Sequence, residues 1–270
     1  MITFNELAED YERYVENFYR YLPDGIRKTF TEDALYHKKR YLDMLEQPFF
    51  GSIVEVGSDK PFITHCLKNV FHDAGIHTIS MDMPYSPYPI ARVDIESEHF
   101  PFPDNSVDHV IFTEVLEHLF RDPAFAIAEI NRVSKVGGTL FLTTPNACGY
   151  NVLQNIFMQK NPNGRNQFYQ NMESGHPHLW TGAEGQLLLE QHGFVIRRLS
   201  TVNYYEIPFD PSIEETITKY SVNRDLHGQV LRILAEKRQH SPNPVYPTEL
   251  FPEGKPVQFK GALRKWIESR

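Results

Sequence analysis

Apolar positions recur at helical spacing at the start of the chain and at strand spacing through its middle. Leu7, Tyr11, Tyr14, Val15 and Phe18 fall three or four residues apart, which predicts helices over 3–22 and 30–47 with a break at Asp24-Gly25. Short apolar runs then alternate with helical stretches. Strands are predicted at Ile53–Val56, Thr78–Met81, Ile90–Ile95, Val107–Thr113 and Thr139–Thr144. Between them lie helices near 62–74 and 123–134, the second starting after Pro123 and broken by Gly137-Gly138. A helix near 181–192 opens on Thr181, a good N-cap, and closes on Gly193, a good C′ residue. Phe194–Val202 reads as a strand, while Gly228–Ala235 fits helix or strand equally by periodicity. Strands alternating with helices predict an α/β fold on a parallel, doubly wound sheet.

Elsewhere the pattern loosens. Residues 145–178 hold Asn-rich and Pro/Gly turns, including Asn161-Pro162-Asn163-Gly164, and predict a lid-like insertion. From Ser241 onward the chain is Pro-rich and predicts an extended tail on the surface. No internal repeat or low-complexity segment is present.

Composition narrows the function. With 270 residues and 41% hydrophobic content the chain can bury an ordinary core. Its formal charge is −8, and Lys and Arg are scattered apart from short runs such as Lys38-Lys39-Arg40. A nucleic-acid partner is therefore disfavoured, because phosphate binding needs a basic face. Cys66 and Cys148 are too few for a disulfide framework and read as two buried thiols of a reducing compartment. The start MITFNELAED has neither the basic nor the apolar region of a secretory signal. No apolar stretch approaches the roughly 20 residues that span a bilayer. A cytoplasmic, soluble protein is expected.

Candidate chemistry concentrates at strand ends. Phe100–Leu119, FPFPDNSVDHVIFTEVLEHL, runs from a turn through an apolar strand into Thr113-Glu114 and then Glu117-His118. Ligands of open α/β sheets sit beyond the carboxyl ends of the strands, where these side chains emerge. The first strand ends Glu55-Val-Gly57, and glycine there lets a ligand approach the backbone. Asp82 closes the next strand at a distance suited to accepting hydrogen bonds from ribose hydroxyls, or else it caps the turn before Pro84. A G-x-G-x-x-G run is missing after the first strand, which argues against a nicotinamide-dependent oxidoreductase.

Taken together, Glu55–Gly57, Asp82, Asp94-Ile95, the segment ending in Glu114, and Val136–Pro145 resemble the class I S-adenosylmethionine-dependent methyltransferases. The resemblance spans roughly residues 50–200, with a weaker echo at 228–237. It implies a Rossmann-like, doubly wound, seven-stranded sheet, mostly parallel, with 228–235 as the last, antiparallel strand. An N-terminal helical cap (1–48) would precede a methyltransferase domain (49–238) with insertions near 145–180 and 205–224, and a C-terminal tail (239–270) would follow. The implied cofactor is S-adenosylmethionine, with S-adenosylhomocysteine as product. Glu55 and Gly57 would form the glycine turn, Asp82 with Met83 beside it would meet the ribose, Asp94 and the Ile95 amide would meet adenine, and Glu114 would line the methionine moiety. Asp59 and Pro61 stand where the family usually has further glycines.

Transfer to a hydroxyl calls for a group that positions the acceptor and takes its proton. Two places offer an imidazole. His118 follows Glu117 near the expected methyl donor, where it either acts as base or shapes the site. Gly175-His-Pro-His-Leu-Trp180 presents His178 and His176, either toward an acceptor or in a turn fixed by Pro177. No metal is expected, since neither a Cys nor a third His stands at an obvious spacing. Tyr19–Tyr21, Tyr85–Tyr88 and Tyr204-Tyr205 are candidates for a substrate wall, though aromatic residues more often fill the core. The expected activity is O-methylation of a sugar unit or other small molecule. The alternative is a non-catalytic methyltransferase-like subunit that binds a partner, motivated by the two absent glycines. A homo-oligomer is compatible with either.

Overall fold

The computed structural model describes residues 3–162, 175–208, 210–221, 224–252 and 254–255. Part of the expected insertion, 163–174, and the tail beyond 255 lie outside these residues.

The N-terminal region folds as four helices. The first, α1 (Phe4–Glu9), starts at a capping box in which the Thr3 hydroxyl accepts from the Glu6 N–H and the Glu6 carboxylate accepts from the Thr3 N–H. It is followed by α2 (Tyr11–Phe18), α3 (Asp24–Tyr36) and α4 (Lys38–Leu45). The break expected at Asp24-Gly25 falls one step earlier, at Leu22-Pro23. Pro23 forces Leu22 into extended backbone and becomes the N-cap, so that Asp24 and Gly25 begin the helix. The helix expected over 30–47 divides at His37.

Seven strands form one sheet: β1 (Ser52–Val56), β2 (Gly75–Ser80), β3 (Ala91–Arg92), β4 (Val107–Thr113), β5 (Ser134–Pro145), β6 (Phe194–Val202) and β7 (Val230–Lys237). Their order is β3-β2-β1-β4-β5-β7-β6. All neighbours are parallel except that β7 runs antiparallel to both β5 and β6. The fold is thus the expected Rossmann-like sheet of seven strands with its last strand antiparallel, and periodicity alone could not have assigned β7.

Further expectations need correction: β2 runs Gly75–Ser80 rather than Thr78–Met81, and the helix expected near 62–74 ends at Val70. The strand expected over Ile90–Ile95 shrinks to Ala91–Arg92. Gly137-Gly138 do not follow a broken helix. The chain turns extended at Ser134, after α6 (Pro123–Val133), and β5 runs through both glycines. Pairing with β4 shifts register between Val107 and His109, and Gly137 takes φ +85° there.

Both faces of the sheet are covered, and the alternation of side chains assigns each residue to one of them. Val54, Val56, Val110, Phe112, Leu140 and Leu142 join a core closed by α6 and α8 (Gly182–Gln191). Ile53, Ile111 and Phe141 face the other way and join a second core with Leu7, Tyr11, Val15, Met44 and Leu45. That second face also holds α5 (Phe62–Val70). The four N-terminal helices are therefore built into the sheet's packing, and each fully buried large apolar side chain among them contributes about 1.5–3 kcal/mol. Two more helices, α7 (Tyr150–Phe157) and α9 (Pro211–Tyr220), pack together beyond β5. No helix among the described residues is long and apolar enough to cross a membrane.

Candidate functional site

The carboxyl ends of β2, β1 and β4 are neighbours, and the chain order reverses between β1 and β4. Such a switch point opens a crevice in a doubly wound sheet. Gly57 leaves β1 with φ +78°, and its N–H donates to the Ile79 carbonyl at 2.9 Å. A Cβ at this position would sit 2.6 Å from Val115. Only glycine fits, and the loop stays pressed against the end of β4.

Glu55 points into the second core. Its Oε2 accepts from the Thr64 hydroxyl at 2.6 Å, while buried Oε1 has no partner. Burial pushes its carboxyl up to about 7, against hydrogen bonds from Thr64, Ser58 and Thr78 that pull the other way. Asp82 follows β2 with its side chain exposed, and Met83 beside it is buried.

Asp94 and Ile95 lie past β3, with Ile95 buried. Arg121 holds the Asp94 carboxylate with a fork of two N–H groups, one at 2.8 Å. Burial would raise the Asp94 carboxyl, but Arg121 holds it below its ordinary range. Buried Glu96 supports this clamp by accepting from the backbone N–H of Arg121 at 2.7 Å and of Asp122 at 2.8 Å.

Glu114 ends β4 with φ +54°, a left-handed conformation that is rare for a side chain other than glycine. Its N–H donates to the Thr143 carbonyl at 2.8 Å, and its Oε1 accepts from the Thr143 hydroxyl at 2.8 Å. Its Oε2 lies 3.6 Å from Arg40 of α4. The Arg40 Nε is buried with no hydrogen-bond partner. A buried guanidinium nitrogen with no partner, next to Glu114, fits a ligand that carries a carboxylate.

The next turn, Leu116–His118, carries Glu117 and His118. Glu117 is 1% exposed, and its Oε2 accepts from the Thr144 hydroxyl at 2.9 Å. Burial first and Glu114 second hold its carboxyl well above the ordinary range. His118 is half-buried, and its Nδ1 donates to the Gly175 carbonyl at 2.9 Å. His176 packs edge-on against His118, with ring centres 4.8 Å apart. Trp180 anchors this segment by donating to the Leu116 carbonyl at 3.3 Å and bridging to Asn146 at the end of β5. The structure thus brings His118 together with His176. His178 is 48% exposed in its side chain and pairs with Glu184 of α8 at 3.3 Å.

Of the aromatic candidates, Tyr19 and Tyr204 are core residues. The Tyr21 hydroxyl donates to the Tyr85 carbonyl at 2.6 Å, and Tyr205 stacks on Tyr36 with ring centres 4.8 Å apart. Sequence reasoning missed Arg40, Arg121 and Glu96. The only signal for Arg40 was its place in the short basic run Lys38-Lys39-Arg40.

Residues 44–142 match the family described as a methyltransferase domain. No curated protein matches the chain. Among solved structures, a chain from the complex between the Haloferax volcanii Trm112 methyltransferase activator and its methyltransferase is 17% identical, with a TM-score of 0.54. That likeness covers 83% of this chain and 98% of the other. An Archaeoglobus fulgidus S-adenosylmethionine-dependent methyltransferase is 16% identical, with a TM-score of 0.50, over 76% of this chain and 94% of the other. Haemonchus contortus phosphoethanolamine N-methyltransferase 2, in complex with phosphomonomethylethanolamine and S-adenosylhomocysteine, is 14% identical with a TM-score of 0.50. It covers 88% of this chain and 61% of the other. At these identities the likeness concerns the fold. Residues 44–142 match the methyltransferase-domain family, and the fold of the chain is that seen in S-adenosylmethionine-dependent methyltransferases.

Proposed function

We propose that this chain transfers the methyl group of S-adenosylmethionine to an oxygen of a small molecule or saccharide unit. The observation that carries the reading is the gathering of Gly57, Asp82 and Glu114 on adjacent strand ends, with Arg40 and its unpartnered Nε next to Glu114. When bound, the cofactor supplies an electrophilic methyl group, and the chain's own residues bind, orient and handle the proton.

In this reading, Gly57 lets the cofactor lie against the backbone, and exposed Asp82 accepts from the ribose hydroxyls with Met83 packed beneath. Asp94, held by Arg121, and the Ile95 amide frame the adenine. Glu114 and Arg40 take the charged ends of the methionine moiety. Glu55 acts from the buried side, holding the glycine turn through α5. His118 acts on the acceptor hydroxyl: Nδ1 donates to Gly175, which leaves Nε2 with a free lone pair. His178, half-exposed at the start of α8, is proposed to meet the acceptor further out.

Calorimetry tests the reading. The folded chain should bind S-adenosylhomocysteine in the micromolar range, and Asp82→Ala should weaken that binding at least about tenfold through lost charge-assisted hydrogen bonds. No binding by the unsubstituted chain would end the proposal. A partner-binding subunit is the second reading, motivated by Asp59 and Pro61 in place of glycines. S-adenosylhomocysteine carried through purification would count against it.

A further inference from the structure

Glu117, His118 and His176 offer one donor atom each, and all three atoms lie within 4.8 Å of one another. The Glu117 Oε1 is 3.9 Å from the His118 Nε2. Two of the groups are already oriented by hydrogen bonds on their far sides. His118 Nδ1 donates to the Gly175 carbonyl, which sets the tautomer and turns the Nε2 lone pair inward. Glu117 Oε2 accepts from Thr144, which leaves Oε1 toward the imidazoles. Outer hydrogen bonds of this kind hold metal-ligating histidines and carboxylates in place.

We propose that Glu117, His118 and His176 form a binding site for a divalent transition-metal ion of the zinc or cobalt type. Two imidazoles and a carboxylate are a donor set of catalytic zinc sites, whereas magnesium and calcium favour oxygen ligands. An ion with ligands at about 2.1 Å holds its donors roughly 3–3.5 Å apart, so an inward movement of about 1 Å closes the set. Glu114 stays outside it, held by Thr143 and Arg40. His178 is engaged by Glu184. Sequence spacing hid the set, because His118 and His176 meet only through the fold.

Three protein ligands leave a coordination position open. On the methyltransferase reading, on which this role rests, that position takes an oxygen of the acceptor. His118 is then a ligand and takes no proton: the ion-bound hydroxyl releases its proton to water, and its oxygen takes the methyl group.

The test is a Co2+ titration of the metal-stripped full chain, read by visible d–d absorption and competed with Zn2+. One equivalent should bind, with the intense bands of a low-coordinate site. His176→Ala and Glu117→Gln should each weaken binding by more than about a hundredfold, exceeding the loss from an outer partner alone. His72→Ala, at an exposed imidazole paired with Asp73, should change nothing. Absence of the bands from the unsubstituted chain, or binding that survives both substitutions, would overturn the site. Circular dichroism checks that each variant folds. If Glu117→Gln does not, the unsubstituted and His176→Ala titrations decide between them. S-adenosylhomocysteine calorimetry on the same samples keeps the two proposals apart. Its failure with Co2+ binding intact removes the methyltransferase reading and leaves the metal site.

Discussion

Glu114 holds a backbone conformation that costs a residue with a Cβ about 1–3 kcal/mol. It persists because Thr143 fixes both its N–H and its carboxylate while Arg40 faces the other oxygen. Gly57, across the crevice, meets a similar demand by having no side chain. Gly57→Ala should therefore lose about 1–3 kcal/mol in urea unfolding, from the positive φ and the clash with Val115. Adding Val115→Ala should recover the steric part, so the two substitutions should couple rather than add. Additive losses would show that Val115 does not set the requirement. The places of Gly57 and Asp82 at the ends of β1 and β2 were legible because each depends only on its own strand. Arg40, Arg121 and Glu96 were not, since each finds its partner through the tertiary fold. His176 likewise gains meaning only where Trp180 anchors its segment beside His118.

Among the elements, α4 ties the N-terminal helices to the far half of the sheet through Asp43. Asp43 accepts from the Tyr204 hydroxyl at 2.6 Å and from Arg232 of β7, and both members of the ion pair are 16% exposed. Removing one partner of a largely buried pair strands the other charge, so Asp43→Asn should destabilise by about 3 kcal/mol. Combining Asp43→Leu with Arg232→Met should restore most of the loss, as apolar replacement of both partners often does. Urea midpoints of the single and double variants give the answer, and equal losses in both would rule out a stranded charge. Element prediction followed the same logic of local against distant causes. β4 and β6 match their expected bounds residue for residue. β3 fell short since only two of its residues find a partner on β2. Gly137-Gly138 looked like a breaker because the bulge they serve belongs to the pairing of two strands.

At the scale of the whole molecule, half-buried His65 and buried Glu55 shift stability with pH in opposite directions. His65 lies against Phe18 and Tyr14, and burial pushes its imidazole down to about 4. Between that value and about 6.5 the unfolded chain binds the extra proton, so the stabilisation present above 6.5 is lost as pH falls. Glu55, pushed up to about 7, does the reverse: the folded chain keeps its proton, and stabilisation is lost as pH rises from about 4.5 to 7. Relative to the unsubstituted chain, His65→Phe should gain stability toward acid and Glu55→Gln toward pH 7. Each gain should approach 1.4 kcal/mol per pH unit at most within its window. Urea midpoints between pH 4 and 8 measure both, and parallel curves would refute the assignment. The antiparallel placement of β7 also sets an order of assembly. β6 touches the sheet only through β7, and β7 pairs with a β5 strand made long before it. While the chain is being synthesised, the β5 edge and the whole of β6 must wait unpaired until residues 230–237 have emerged. Chaperones would meet the nascent protein at that open edge, and a chain stopped short of β7 would leave it exposed for good.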